Sequence, residues 1–279
     1  MADSFRIEPL DAPLGARIHG VNLHEDQPRE IVDGIIEAFE QYHVILFNGQ
    51  QLNAERQLEV SRWFGETYKP PPDLPILGDA SQPPIVAISN VVDGGLLGSI
   101  EIPPHSDLQF MPVPLRASML YAVEVPERGG ETSWANLCLA HDALDEATRA
   151  QIADLQVWAH NPYAGEIGAG RYIDGDQKYV DHDVPLFPHP LARVHKPTGK
   201  RALYVSVLSG GIVGMDDEEE ARELLERLRS HVDQERFYYR HEWSPGDVVV
   251  WDNRCTNHKR AAFEPEQRRI MYRAQIADA

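Results

Sequence analysis

A histidine and an aspartate stand two residues apart in the stretch Pro103-Pro104-His105-Ser106-Asp107-Leu108-Gln109-Phe110. The stretch is otherwise largely apolar and is typical of a β-strand. In an extended strand, residues i and i+2 lie on one face, so we expect His105 and Asp107 to point the same way and to chelate one cation. Two imidazoles and one carboxylate with open coordination positions are typical of non-haem Fe(II) sites, so a third ligand is needed elsewhere in the chain.

His258 is the preferred third ligand among the 12 histidines of the chain. It follows an apolar predicted strand but is far from Asp107 in sequence, so only the fold can bring the three side chains together. Two other His-x-Asp pairs, His24–Asp26 and His231–Asp233, lie at the start and the end of predicted helices. Residues i and i+2 of a helix diverge by about 200°, so these pairs are poor chelators.

The composition limits the function classes. A formal net charge of -18 argues against binding to nucleic acid or to an anionic membrane through the general field of the protein, and an anionic ligand would need local cations. Cys138 and Cys255 are the two cysteines, too few for a disulfide framework or a thiolate metal site. We find no basic leader and no run of about 18 apolar residues, so we expect a cytoplasmic protein.

Short strands separated by turns dominate the pattern of the chain. Two strands are predicted within Phe5–Leu23, and others at Val44–Phe47, Ile85–Ser89, Ser118–Val123, Thr132–Asn136, Leu191–His195, Ala202–Val207, Phe237–Glu242, Asp247–Asp252 and Arg269–Ile276. Helices are predicted at Pro28–Tyr42, Asn53–Phe64, Leu137–Leu155 and Asp216–Val232, from apolar residues at helical spacing.

These elements must form a pocket into which distant residues point. Many short strands with few helices favour a mainly β fold with flanking helices, a double-stranded β-helix (jelly roll, cupin-like), in one domain spanning 1–279. A hydrophobic fraction of 42% supplies enough apolar side chains for its core. We predict loops at Lys69–Pro84 and Gly94–Ile102, and a lid insertion at about 159–188, where about thirty residues show little periodicity.

Four ordered motifs carry a resemblance to a known family. They are His105-Ser106-Asp107, Gly129-Gly130-Glu131-Thr132, Trp251-Asp252-Asn253-Arg254 with His258, and Arg268-Arg269-Ile270-Met271-Tyr272-Arg273. Together they resemble the taurine dioxygenase and 2,4-dichlorophenoxyacetate dioxygenase family of Fe(II)- and 2-oxoglutarate-dependent enzymes. The opening segments, including Val44-Ile45-Leu46-Phe47 and Phe64-Gly65-Glu66, are similar to those of the family, so the resemblance covers nearly the whole chain.

The resemblance implies a role for each matching residue. It implies that His105, Asp107 and His258 bind Fe(II), leaving positions for the cosubstrate 2-oxoglutarate and for dioxygen. Arg269 would pair with the far carboxylate of 2-oxoglutarate, with help from the Thr132 hydroxyl.

The resemblance also implies a reaction and a substrate class. Arg273 would hold the acidic group of the substrate, and we expect Phe110 to line its pocket. The implied reaction is oxidation, most simply hydroxylation, of a C–H bond of a small carboxylate or sulfonate, with release of succinate and CO2. Family members often form homodimers or homotetramers, and the sequence leaves the oligomeric state of this chain open.

Departures from the family pattern leave the substrate open. Pro104 precedes the first ligand where the taurine-specific enzyme has a tryptophan, and Pro70 and Glu101 stand where that enzyme has polar substrate contacts. Two other functions stay open from the residues. One is a non-catalytic jelly-roll protein that binds a small acid. The other is a zinc hydrolase, which uses similar ligands but would need a general base that we do not find.

Overall fold

The computed structural model describes residues 4–69, 84–160 and 187–278. Its strands are β1 (Arg6–Pro9), β2 (Ala16–His19), β3 (Val44–Phe47), β4 (Ile85–Ser89), β5 (Leu96–Leu97), β6 (Ile102–His105), β7 (Ala117–Glu124), β8 (Thr132–Asn136), β9 (Gln156–Ala159), β10 (His189–Pro190), β11 (Ala192–Val194), β12 (Arg201–Leu203), β13 (Ser209–Ile212), β14 (Tyr238–His241), β15 (Val248–Asp252), β16 (Thr256–Arg260) and β17 (Ile270–Ile276). Its helices are α1 (Arg29–Tyr42), α2 (Ala54–Ser61), α3 (Leu137–Asp142), α4 (Glu146–Ile152) and α5 (Glu218–Val232), and a 3-10 turn spans Glu235–Phe237.

Two sheets face each other across an apolar layer. The larger sheet has eight strands in the order β1-β2-β3-β15-β7-β17-β4-β5, and the smaller has four in the order β14-β8-β16-β6. Pairing is antiparallel except for β2 with β3 and β4 with β5. Side chains of both sheets meet in one buried cluster, which includes Trp134 of β8 and Trp251 of β15. The predicted jelly roll is therefore confirmed.

The central strands of the larger sheet are buried on both faces. All four residues of β3 are buried, because Val44 and Leu46 face the smaller sheet while Ile45 and Phe47 face the helices. β15 alternates in the same way: Val249 faces the smaller sheet, while Val248 and Val250 face the helices. This period of two explains why these strands appear in the sequence as unbroken apolar runs.

Helices cover the outer faces of both sheets. Ile35, Ala38 and Phe39 of α1 are buried against the larger sheet, and α1 ends at His43, which has a φ of 67° and donates its backbone N–H to Phe39. On the other side, the leucines of α5 pack with α3 against the smaller sheet. The Asp217 carboxylate caps α5 by accepting hydrogen bonds from the first-turn N–H groups.

Three predicted elements were wrong in detail. The predicted helix Leu137–Leu155 is two helices, because Asp145 accepts a hydrogen bond from the N–H of Thr148 and so begins α4. The predicted helix Asn53–Phe64 ends at Ser61. The predicted loop Gly94–Ile102 contains the short strand β5.

Two further differences concern the candidate metal ligands. The strand β16, which carries His258, was not predicted, because its sequence is polar while its surroundings are buried. The strand predicted to carry both His105 and Asp107 ends at His105, so Asp107 lies in the following turn. Most of the predicted Lys69–Pro84 loop and of the 159–188 lid lies outside the described residues. Within the described ranges, no helix has the length and apolar character to cross a membrane.

Truncation of Phe39 should test the packing of α1 on the larger sheet. Phe39 is 0% exposed, and its ring lies 5.1 Å from that of Phe64 in an edge-on contact. We expect Phe39→Ala to lower the free energy of unfolding by about 3–5 kcal/mol, measured by denaturant titration. Leu139→Ala is the control, since Leu139 is 39% exposed and its loss should cost under about 1 kcal/mol. Equal losses in the two variants would contradict this account of the core.

Candidate metal centre and active site

The register of the smaller sheet brings two histidines together. His258 of β16 lies directly opposite His105 of β6, and the ring centroids are 4.2 Å apart. Asp107 joins them from the turn after β6, with Oδ1 at 3.5 Å from Nε2 of His105 and 3.9 Å from Nε2 of His258. The three buried ligand atoms lie close enough to hold one metal ion. The ligand set expected from the sequence therefore meets at one point.

Both imidazoles present Nε2 to the carboxylate. Nδ1 of His105 lies 2.9 Å from the carbonyl oxygen of Pro103, which can only accept, so Nδ1 carries the hydrogen and Nε2 keeps its lone pair. Burial, followed by the charge of His105, lowers the pKa of His258 to about 3. His258 is thus a neutral imidazole at neutral pH, which is the form that binds a metal.

Asp107 is ionised in the same place. Burial works against its charge, but the neighbouring His258, His105 and Arg273 side chains hold the pKa of the carboxyl well below its usual range. Since His258 is neutral at physiological pH, Arg273 is the permanent cation of this group; its Nη1 lies 3.9 Å from Oδ1 of Asp107. One carboxylate and two neutral imidazoles give a divalent ion a net charge of about +1, which favours an anionic chelator.

Arg269, next to the start of β17, carries a buried guanidinium. Arg269 is 1% exposed, and its Nε and Nη1 make no hydrogen bond to the described residues. Burial, followed by the charge of Arg260, lowers the pKa of Arg269 to about 9, so at neutral pH it is still a cation. A buried cation without a counter-ion is costly, so the surroundings of the Arg269 guanidinium favour an anionic ligand.

Thr132 stands opposite Arg260 in the register of β8 with β16, and the charge of Arg260 acts on Arg269. A Cβ placed on Gly130, two residues before Thr132, would lie 3.6 Å from Nε of Arg269. The buried Thr132 hydroxyl accepts a hydrogen bond of 3.0 Å from the indole N–H of Trp243. Thr132 is thus two residues from the glycine that adjoins Arg269, and it contacts Trp243, a residue that was not expected.

The two residues expected to bind the substrate occupy different positions. Arg273 contacts the metal-ligand group itself, through Asp107. Phe110 is buried in a small cluster with Leu108, Met111 and Leu115, at the side of the site that adjoins Leu208. The structure thus brings Arg273 to the ligands, while the place of Phe110 in a substrate pocket stays a prediction.

Sequence reasoning missed Arg260 and Trp243. Arg260 stands two residues after His258, so strand periodicity would have placed it on the same face once β16 was recognised. Its Nη2 donates to the carbonyl oxygens of Leu97 and Ile100, which fastens the segment before β6 to the smaller sheet. Trp243 lies between strands, and its contact with Thr132 left no signal in the sequence.

Two other buried groups of metal-ligand residue types occur in the described ranges. They consist of His43 with Cys138 and Cys255, and of His195 with Asp252 and Cys255. His195 and Asp252 are already paired at 3.0 Å, and Arg254 also binds that carboxylate. Burial raises the pKa of the Cys255 thiol well above its usual value, which disfavours the thiolate that a metal requires. The His105 group is the better metal site.

Known proteins resemble the chain over nearly its whole length. The family model described as "Taurine catabolism dioxygenase TauD, TfdA family" matches residues 6–275. The chain belongs to this family. It is 31% identical to the (S)-phenoxypropionate/alpha-ketoglutarate-dioxygenase of Sphingobium herbicidovorans, over 99% of this chain and 96% of that protein. It is 29% identical to the alpha-ketoglutarate-dependent sulfate ester dioxygenase of Pseudomonas putida, over 97% of this chain and 89% of that protein.

A solved structure of a TauD/TfdA relative has the same fold. The crystal structure of AAD-2 in complex with Mn(II) and N-oxalylglycine matches with a TM-score of 0.80 and 29% identity, covering 99% of this chain and 98% of that one. Membership of the TauD/TfdA family confirms the predicted class: the protein is a 2-oxoglutarate-dependent dioxygenase. The non-catalytic and zinc-hydrolase alternatives have no such support.

Removal of the carboxylate ligand should abolish tight metal binding. We expect Asp107→Ala to weaken Mn(II) binding more than about 100-fold, since loss of even an indirect partner of a ligand costs 10–100-fold. Isothermal titration calorimetry of the metal-free protein measures this directly. His24→Ala is the matched control, because exposed His24 belongs to a His-x-Asp pair that does not join the group. Similar dissociation constants for the two variants would place the metal elsewhere.

Proposed function

We propose that the protein binds Fe(II) through Nε2 of His105, Nε2 of His258 and Oδ1 of Asp107. The observation that carries this proposal is the meeting of these three atoms, with His258 in the neutral form that coordinates a metal. The donor set fits ferrous iron and leaves coordination positions open. When bound, the iron supplies the oxidising chemistry with dioxygen and 2-oxoglutarate; the protein supplies orientation and charge.

Arg269 and Thr132 hold the far carboxylate of 2-oxoglutarate in this proposal. The planar guanidinium suits a carboxylate because two parallel N–H groups can donate to its two oxygens. Two unpartnered nitrogens of Arg269 support this role. The carboxylate would neutralise the buried guanidinium of Arg269, whose unpaired charge is costly. Cosubstrate binding would therefore remove this cost.

Trp243 orients the Thr132 hydroxyl toward the cosubstrate. An indole N–H can only donate, so Oγ1 of Thr132 must accept from Nε1 of Trp243. The hydroxyl hydrogen of Thr132 then remains to donate to another acceptor. A carboxylate held by Arg269 is the acceptor that this arrangement suits.

The primary substrate is a small organic acid, held through its anionic group by Arg273. Relatives act on a phenoxypropionate and on sulfate esters, which are anionic small molecules. Arg273 is mostly buried, has an unpartnered Nε within the described residues, and lies beside the metal ligands. An acid bound there would present a nearby C–H bond to the metal for hydroxylation, with succinate and CO2 as coproducts. Phe110 is the proposed apolar contact of the same substrate.

Product analysis tests this function. The protein would be incubated with Fe(II), ascorbate and labelled 2-oxoglutarate, together with a panel of aryloxy acids, sulfate esters and taurine. We expect at least one acid to stimulate succinate formation and to be hydroxylated, and Asp107→Ala to be inactive. Absence of succinate above the enzyme-free background, or equal turnover by Asp107→Ala, would refute the proposal.

Arg269 and Arg273 should separate cosubstrate binding from substrate binding. Loss of a charge-assisted hydrogen bond costs about 1.5–3 kcal/mol, so we expect Arg269→Ala to raise the KM for 2-oxoglutarate roughly 10–100-fold and Arg269→Lys to restore it only partly. Arg273→Ala should raise the KM for the acid substrate and change that for 2-oxoglutarate much less. Binding of N-oxalylglycine to the Mn(II)-loaded protein gives an independent measurement. If Arg273→Ala raised the KM for 2-oxoglutarate and Arg269→Ala raised that for the acid substrate, the two proposed roles would be reversed.

A further inference from the structure

The carboxylate of Asp107 has two oxygens in different surroundings. Oδ1 faces both imidazoles and the Arg273 guanidinium. Oδ2 lies 2.6 Å from the hydroxyl of Ser118, a residue of β7 that is 0% exposed. Ser118 shares its strand face with Leu120, so it points from the larger sheet into the apolar layer between the sheets. The two sheets thus approach the carboxylate from different directions.

The direction of the Ser118 hydrogen bond is fixed by Asn253. Oδ1 of Asn253 receives two N–H donors, the indole of Trp251 at 3.0 Å and the backbone of Asp107 at 3.3 Å. This amide orientation leaves Nδ2 to donate to Oγ of Ser118, at 3.0 Å. Because Ser118 already accepts from Asn253 and a carboxylate only accepts, the hydroxyl must donate to Oδ2 of Asp107.

Asn253 also fastens the turn that carries Asp107. Its backbone carbonyl oxygen accepts a hydrogen bond of 2.6 Å from the hydroxyl of Ser106. Together with the bond to the N–H of Asp107, this joins the turn after β6 to the turn between β15 and β16. Those two turns adjoin the strands that carry His105 and His258. Asn253 therefore fastens Asp107 to the turn that leads into the strand of His258.

We propose that Ser118 and Asn253 are positioning residues that occupy Oδ2 of Asp107, so that the carboxylate offers the metal only Oδ1. A carboxylate that binds through one oxygen uses one coordination position, whereas one that binds through both uses two. The Trp251–Asn253–Ser118 chain thereby preserves the positions that a chelating 2-oxoglutarate and dioxygen require. This inference rests on the proposed metal site, and goes beyond it in assigning why the site stays open.

Metal binding by Ser118→Ala tests the inference. This variant removes the donor to Oδ2 and leaves no larger group, so we expect the Mn(II) dissociation constant of the metal-free protein to rise roughly 10–100-fold by calorimetry. The freed Oδ2 should also change the positions and intensities of the visible ligand-field bands of the Co(II)-loaded protein. N-oxalylglycine should bind the Mn(II)-loaded variant more weakly than it binds the Mn(II)-loaded wild type.

Two further variants separate positioning from general destabilisation. Ser61→Ala also removes a buried hydroxyl, one that donates to the carbonyl of Leu58 on the helical side of the larger sheet, and should leave Mn(II) affinity unchanged. Ser118→Thr keeps the hydroxyl and should bind Mn(II) within about threefold of the wild type when its unfolding midpoint shows that it is folded.

The outcomes distinguish this inference from the proposed function. If the wild type binds Mn(II) and Ser118→Ala binds it within twofold with the same Co(II) spectrum, the positioning role is wrong and the metal site stands. Equal losses in Ser118→Ala and Ser61→Ala, or a folded Ser118→Thr that binds as weakly as Ser118→Ala, would also overturn it. A wild type that binds no Mn(II) removes the proposed metal site and the inference together.

Discussion

The pairing of β16 with β6 sets His258 opposite His105, and the geometry of the site depends on that register. Residues directly opposite on neighbouring antiparallel strands are held at close range by the ladder itself. A shift of one residue would turn His258 to the other face of the sheet, where α3 and α5 pack. The bulge between His258 and Arg260 falls immediately after this pair, so the regular register is kept where the ligands need it.

Buried charge dominates the energetics around this pair. Asp107 is balanced by Arg273 and by hydrogen bonds, so its ionisation costs little in the folded protein. Arg269 lacks a comparable partner among the described residues. The apolar layer between the sheets adjoins this site, since the rings of Trp134 and Trp251 lie 5.6 Å apart within it and the ring of Trp251 lies 4.9 Å from that of His258. The folded protein thus holds the Arg269 guanidinium, without a counter-ion among the described residues, in well-packed surroundings, as a preorganised binding site does.

Sequence patterns predicted which three side chains meet better than they predicted the backbone that carries them. His105, Asp107 and His258 were recognisable by residue type and by motif, yet the strand geometry assumed for the first two was wrong, since the chain turns after His105. The strand that carries His258 was invisible because its burial comes from two sheets and not from its own hydrophobicity. The break between α3 and α4 was visible in principle, because Asp145 precedes Thr148 by the spacing of a helix cap.

The hydrogen bonds that link Trp251, Asn253 and Ser118 to Asp107 could not be predicted from sequence patterns. Ser118 and Asn253 are common polar residues, and nothing local distinguishes Ser118 from other serines of a strand. The role proposed for them depends on a contact between residues far apart in the chain, which forms only because β7 packs against the turn after β15. Long-range polar pairs of this kind carry no periodicity, so a single sequence does not reveal them.

The charge of the whole molecule sets the kinetics of what enters this site. The exterior field is that of a protein with a net charge of -18, while Arg269 and Arg273 present cations inside. A dianion such as 2-oxoglutarate is repelled during its approach and attracted only on arrival. Added salt screens the long-range repulsion more than the buried contact. It should therefore raise the association rate and leave the dissociation rate nearly unchanged.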